Sequence, residues 1–185
     1  MPLIYLSPST QEYNEYVIGG DEEYYMNLVA DAMIPYLDAS GIGYVRNTPQ
    51  MTAATSIAAS NAGKYDAHVA LHSNASPEYL SGRLSGSDVY YYPTSVKGKQ
   101  LAELIAANLR AIYPNPELVD TRATTTLGEV SRTRAPAVLI EFAYHDNVGD
   151  ALWIADNINE LARVVVLSLT QYFGIPFVEP ANFAG

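Results

Sequence analysis

The chain has 185 residues, 49% apolar and 16% charged, with no cysteine and a formal net charge of −10 from 10 basic and 20 acidic side chains. That length suits one domain whose core stands without metal or disulfide staples, and the missing cysteines exclude a disulfide framework and a thiolate metal site. The acidic balance argues against a nucleic-acid partner, which needs clustered Lys and Arg, and mildly against docking on an anionic membrane or teichoic acid. No apolar run reaches the roughly 18 residues of a membrane span, so no membrane insertion is expected.

Leu3-Ile4-Tyr5-Leu6 predicts the first strand, and no basic region precedes a long apolar stretch as in a secretory leader. A polar loop follows, residues 7–20. Asp21 is placed to cap a helix running to Ala39, with Glu22 and Glu23 in its first turn, where the helix dipole favours acids. Met26, Val29, Ala30, Met33 and Leu37 form its apolar stripe, and Pro35 predicts a kink or a division. Gly41 and Gly43 lead into a strand at Tyr44-Val45-Arg46. Residues 52–62 read as an Ala-rich helix closed by Gly63. An apolar strand then ends in His72-Ser73-Asn74. Residues 76–87 form a Gly/Ser loop, 88–92 a strand, and 96–112 a helix that stops before Pro114 and Pro116. The polar stretch 118–134 reads as loops around a short edge strand at Leu127. Ala137-Val138-Leu139-Ile140 forms a strand ending in Glu141. A last helix covers about 150–173, with Gly174 and Pro176 as its stop. This order predicts an α/β fold: a single three-layer domain over residues 1–176, with a mostly parallel central sheet and helices on both faces. Residues 177–185 are expected to be a surface tail or the start of a linker.

In such folds ligands collect at the carboxyl ends of the strands, and two strands deliver reactive side chains there. His72 stands where an apolar strand turns polar, which favours metal binding or catalysis over a merely hydrogen-bonded histidine. His68 shares its face but lies about 13 Å away at strand rise, too far to share one ion, and is taken as structural. Glu141 follows four apolar residues and precedes Phe142; apolar walls raise a carboxylate's pKa, which suits a general acid or base near neutrality. Glu22 reads as a favourable first-turn acid, while Glu23, after the Gly19-Gly20 turn, is the one expected to point over the sheet edge. His145 is read as structural or as part of a rim. The runs Tyr24-Tyr25 and Tyr90-Tyr91-Tyr92 are read mainly as packing.

Taken in order, several segments resemble the zinc-dependent N-acetylmuramoyl-L-alanine amidases of the amidase 3 type. They are Ile4-Tyr5-Leu6-Ser7-Pro8-Ser9, Glu23 with Asn27-Leu28, Val69-Ala70-Leu71-His72-Ser73-Asn74-Ala75, the strand near Gly86 to Tyr92, and Pro136-Ala137-Val138-Leu139-Ile140-Glu141-Phe142 with Asp146-Asn147. The resemblance implies an enzyme that cuts the amide between N-acetylmuramic acid and the L-alanine of the peptidoglycan stem. It implies that Glu23 and His72 coordinate Zn2+ and that Glu141 is the catalytic carboxylate. The family's first zinc histidine has no counterpart in this chain, which holds no histidine before His68. Thr10 stands nearest by counting, Gln11 lies close to the expected position with a longer side chain, and Glu12 is the better ligand by charge.

The expected function is therefore peptidoglycan hydrolysis by metal-activated water, in a phage lysin or a wall-remodelling enzyme acting as a monomer outside the cell or in the wall. Export would need a leader or another route. Two alternatives are a metal-poor relative that only binds wall fragments, and a different metal-dependent amide hydrolase on the same scaffold.

Overall fold

The structure, a computed structural model, describes residues 1–181. Six strands form one sheet: β1 (Leu3–Pro8), β2 (Gly43–Arg46), β3 (Ala67–Asn74), β4 (Ser87–Tyr91), β5 (Val119–Ala123) and β6 (Ala137–Tyr144). Their spatial order is β2-β1-β3-β6-β4-β5. All neighbours pair parallel except β4 with β6. The helices are α1 (Glu22–Ala39), α2 (Ala53–Ala62), α3 (Val96–Arg110), α4 (Gly128–Ser131), α5 (Val148–Asp156) and α6 (Ile158–Phe173). Among the described residues no helix is long and apolar enough to cross a membrane.

Side chains alternate between the two faces of a strand, and the sheet uses this to build two unequal layers. Ile4 and Leu6 of β1, Val69 and Leu71 of β3, and Val138, Ile140 and Phe142 of β6 pack with α1, α3, α5 and α6 into the main core. Ala70 and Leu139 face the other way and meet Val130 of α4 in a small second core, with Tyr90, Tyr92 and Leu127 at its margin. The thinner layer is the one that matters chemically, because His68 and His72 share Ala70's face. The mostly parallel, three-layer α/β domain read from the sequence is the fold observed.

Three local expectations are corrected. Helix α1 runs undivided through Pro35; one missing N–H is tolerated where Met33, Tyr36 and Leu37 on either side are buried. The edge strand is β5, not a strand at Leu127. Val119 is buried there, and the Thr124 hydroxyl accepts from the amides of Thr126 and Leu127, which turns the chain into α4. The single helix expected over 150–173 is two, because the Asn157 side-chain amide takes the Trp153 carbonyl while its backbone N–H bonds to Ile154.

Beyond α6, Gly174 adopts the left-handed conformation that ends the helix (φ 67°). Phe177 then stacks on Tyr36 at 5.9 Å, and Glu179 pairs with Arg163 at 2.8 Å. The first residues of the expected tail thus lie against α1 and α6; residues 182–185 fall outside the described part.

Candidate active site

The site gathers at the carboxyl ends of β1, β3 and β6. His72 and Glu141 are register partners on the parallel pair β3–β6, so both side chains rise side by side from one face. The loop between β1 and α1 folds back over them. Gly19 and Gly20, at φ 95° and 78°, make a turn that side chains disfavour, and Glu22 N–H bonds to the Asn14 carbonyl. Asp21 caps α1 by accepting from the amide of Tyr24 at 2.8 Å. This entry turns Glu22 inward.

Glu22 therefore occupies the place the sequence assigned to Glu23. Its Oε1 lies 2.7 Å from His72 Nδ1, and its Oε2 accepts from Asn14 Nδ2 at 2.6 Å. Glu23 lies one residue further round the helix and lines a separate open groove with Asp21, Asn27, Asp31 and Arg46. The apolar stripe alone does not separate the two: Glu22 precedes Met26 by four residues and Val29 by seven, while Glu23 precedes Met26 by three and Ala30 by seven, all spacings of one helix face. Of the candidates in the preceding loop, Gln11 reaches the imidazole, its side-chain amide 3.3 Å from His72 Nδ1. Glu12 is exposed and Thr10 lines the adjoining cleft.

Sequence reasoning missed Glu129. It lies on α4, buried, and its carboxylate meets His72 Nε2 at 3.0 Å and His68 Nε2 at 3.2 Å, while Ser7 Oγ donates to it at 2.5 Å. No local pattern marks it, since its partners lie 57, 61 and 122 residues away in sequence. His68 is structural, as expected, stacked on Tyr5 and bonded through Nδ1 to Ser60 Oγ at 2.9 Å. His145 is also buried, with Nδ1 2.9 Å from Ser73 Oγ and its ring on Tyr16.

The electrostatics divide the acids into two kinds. Burial pushes the Glu129 carboxyl up, but hydrogen bonds from His68 and His72 outweigh it and bring the group to about 2. Glu22 behaves alike: burial opposes ionisation, the bond to His72 outweighs it, and the pKa is lowered. Glu141 goes the other way. Burial pushes it to about 7 against the pull of His72, with Glu22 and Asp88 adding like charge. Its Oε2 is sealed from solvent without a hydrogen-bond partner among the described residues. A carboxyl that exchanges its proton near neutrality is suited to general acid–base work. A cleft of about 230 Å³ lined by Ser9, Gln11, Tyr13, Met51, His72 and Glu129 opens on the His72 side of the site.

Catalytic zinc takes three protein ligands, drawn from His, Cys and acidic side chains. Here Glu22 and His72 are two such donors, and the other neighbour of Nδ1 is the neutral amide of Gln11, a poor zinc ligand. Among the described residues no three His, Cys, Asp or Glu side chains converge to hold a metal ion. The residues present do not fit a zinc site of that kind.

Residues 12–171 match the N-acetylmuramoyl-L-alanine amidase family. No curated protein matches the chain in sequence. Among solved structures, the chain is similar to N-acetylmuramoyl-L-alanine amidase AmiC2 of Nostoc punctiforme, with TM-score 0.82 and 17% identity over 94% of this chain and 97% of that one. It is similar to the catalytic domain of the CD27L endolysin targeting Clostridia difficile, with TM-score 0.75 and 21% identity over 92% and 98%. The catalytic domain of the amidase CwlV from Bacillus (Paenibacillus) polymyxa var. colistinus gives TM-score 0.80 and 15% identity over 95% and 100%.

Proposed function

The chain belongs to the N-acetylmuramoyl-L-alanine amidase family, and from that premise we propose that it cleaves the amide joining N-acetylmuramic acid to the L-alanine of the peptidoglycan stem, with Glu141 as its proton-transferring group. The observation that carries this reading is the pairing of His72 with Glu141 across β3–β6, under a loop that brings Glu22 and Gln11 to the imidazole. Peptidoglycan is the substrate of the family, and the protein works as a monomer in the wall or outside the cell.

Glu141 in its ionised form takes a proton from the attacking water as the water oxygen bonds to the amide carbon. It then gives that proton to the nitrogen of L-alanine as the carbon–nitrogen bond breaks, so the stem peptide leaves with a free amine and the lactyl group keeps a carboxylate. A carboxyl poised at about 7 suits both halves of this exchange. Glu22 and Glu129 hold the imidazole of His72 from opposite sides. The Zn2+ used generally in the family would meet Glu22 and His72 with only Gln11's amide as a third neighbour, and no step is assigned to it.

A second reading, favoured by Gln11 standing where a third strong donor is needed, is a relative that binds wall fragments without cutting them. Digestion of purified peptidoglycan separates the two. The amidase must release stem peptides with new L-alanine amino termini while the glycan strands stay intact. Fragment binding with no new amines supports the second reading; release of acetate, or cleavage elsewhere in the peptide, indicates a different hydrolase.

A further inference from the structure

We propose that Glu129 is the positioning residue of this site, its carboxylate fixing the ring of His72 so that Nδ1 is held toward Glu22 and Gln11. Three donors from two strands converge on it: Ser7 Oγ from β1, and Nε2 of His68 and of His72 from β3. The two histidines stand four residues apart on one strand, yet each reaches a different oxygen of the same carboxylate, Oε1 for His68 and Oε2 for His72. An imidazole attached by a single flexible bond rotates unless both ring nitrogens are engaged. Here Nε2 is taken by Glu129, which settles where Nδ1 points.

The surroundings are built to keep Glu129 in place. His68 is fully buried, stacked on Tyr5 and bonded to Ser60 of α2, so it anchors one carboxylate oxygen. Thr133 donates its hydroxyl to the Glu129 carbonyl at 2.9 Å, closing the turn after α4. A four-residue helix has little stability of its own. Its packing of Val130 against Ala70 and Leu139 places the carboxylate over β3. Burying a carboxylate is costly unless its oxygens are satisfied, and this one spends its acceptors on the two histidines and Ser7. Among the described residues its side-chain hydrogen bonds go to Ser7, His68 and His72 and not to Glu141 or Gln11, so its influence passes through His72.

The inference rests on His72 belonging to the reactive site, and its test is read independently of turnover. With 15N-labelled histidine, the ring of His72 in the wild type gives one set of nitrogen signals with a slowly exchanging Nε2 proton. In Glu129→Ala that pattern collapses to averaged, fast-exchanging signals, while kcat on peptidoglycan falls at least tenfold and KM changes less than twofold. Glu129→Gln, which keeps the shape and one accepting oxygen, restores part of both. Unchanged His72 signals in folded Glu129→Ala overturn the proposal; if that variant does not fold, unchanged signals and exchange in Glu129→Gln overturn it instead. Loss of the ring pattern in a protein whose wild type releases no stem peptide keeps the positioning role and removes the amidase reading.

Discussion

Glu141 and Gln11 carry the chemistry that sets this site apart. Glu141→Gln removes the proposed proton carrier, and hydrolysis should fall by roughly a hundredfold or more with the fold intact; retained turnover would return Glu141 to a structural role. The same substitution has a stability consequence with a definite sign. Between the ordinary value of 4.5 and the buried value of about 7, the unfolded chain has released the proton that the folded chain still holds. Stability therefore falls as pH rises through that window, and the whole cost is present above about 7. At about 1.4 kcal/mol per unit, it amounts to something on the order of 3 kcal/mol. Glu141→Gln should gain little at pH 4 and progressively more toward pH 8, read as the difference in unfolding free energy from the wild type in the presence of a chelator. A difference that does not vary with pH would show that the group is not held protonated. At Gln11 the expectation concerns metal. Gln11→His supplies a third strong donor beside Glu22 and His72, so zinc affinity measured by calorimetry should tighten by roughly a hundredfold. Equal binding by both proteins would mean that residue 11 does not face the ion.

The elements differ in how far they could be read in advance. Strands β3 and β6 announced themselves as apolar runs that turn polar at His72 and Glu141, because a strand buried on both faces needs apolar residues until it reaches the sheet edge. At the start of α1 the sequence does not choose between Glu22 and Glu23, and the resemblance, carried there by Glu23 with Asn27-Leu28, points to Glu23. The two lie about 100° apart on the helix, yet both stand at helical spacing from Met26, four and three residues away, so the loop that enters α1 decides which one turns inward. Helix α4 was not legible, since four residues carry no period and Glu129 is specified by distant partners. Asp150 was hidden in the same way. At the start of α5 it accepts from Tyr113 OH at 2.6 Å, the amide of Tyr144 at 3.0 Å and that of Gly86 at 3.1 Å. It thereby ties α5 to the end of β6, the entry to β4 and the turn after α3. Asp150→Ala leaves those three donors without their acceptor, and urea denaturation should show a loss of about 3 kcal/mol. Asp150→Asn, with one accepting oxygen left, should lose about half as much. A loss under about 1 kcal/mol for the alanine variant would mean that water or relaxation replaces this tie.

At the scale of the whole molecule the governing quantity is charge. A protein of net charge −10 approaching a wall that carries anionic polymers is repelled over a distance set by the ionic strength, about 30 Å at 0.01 M and 8 Å at 0.15 M. The groove beside the site adds to the effect, because Asp21, Glu23 and Asp31 line it with Arg46 alone to oppose them. Repulsion of this kind acts on the rate of encounter. Wall hydrolysis at low substrate should therefore rise as salt increases from about 0.01 M to about 0.15 M. Walls stripped of their anionic polymers should show a much smaller dependence, since the glycan and its stem peptides carry fewer charges. Parallel rate measurements on the two substrates isolate the contribution of the polymers. A rate on intact walls that declines steadily with salt would mean that a local basic surface draws the protein in, against the sign of its total charge.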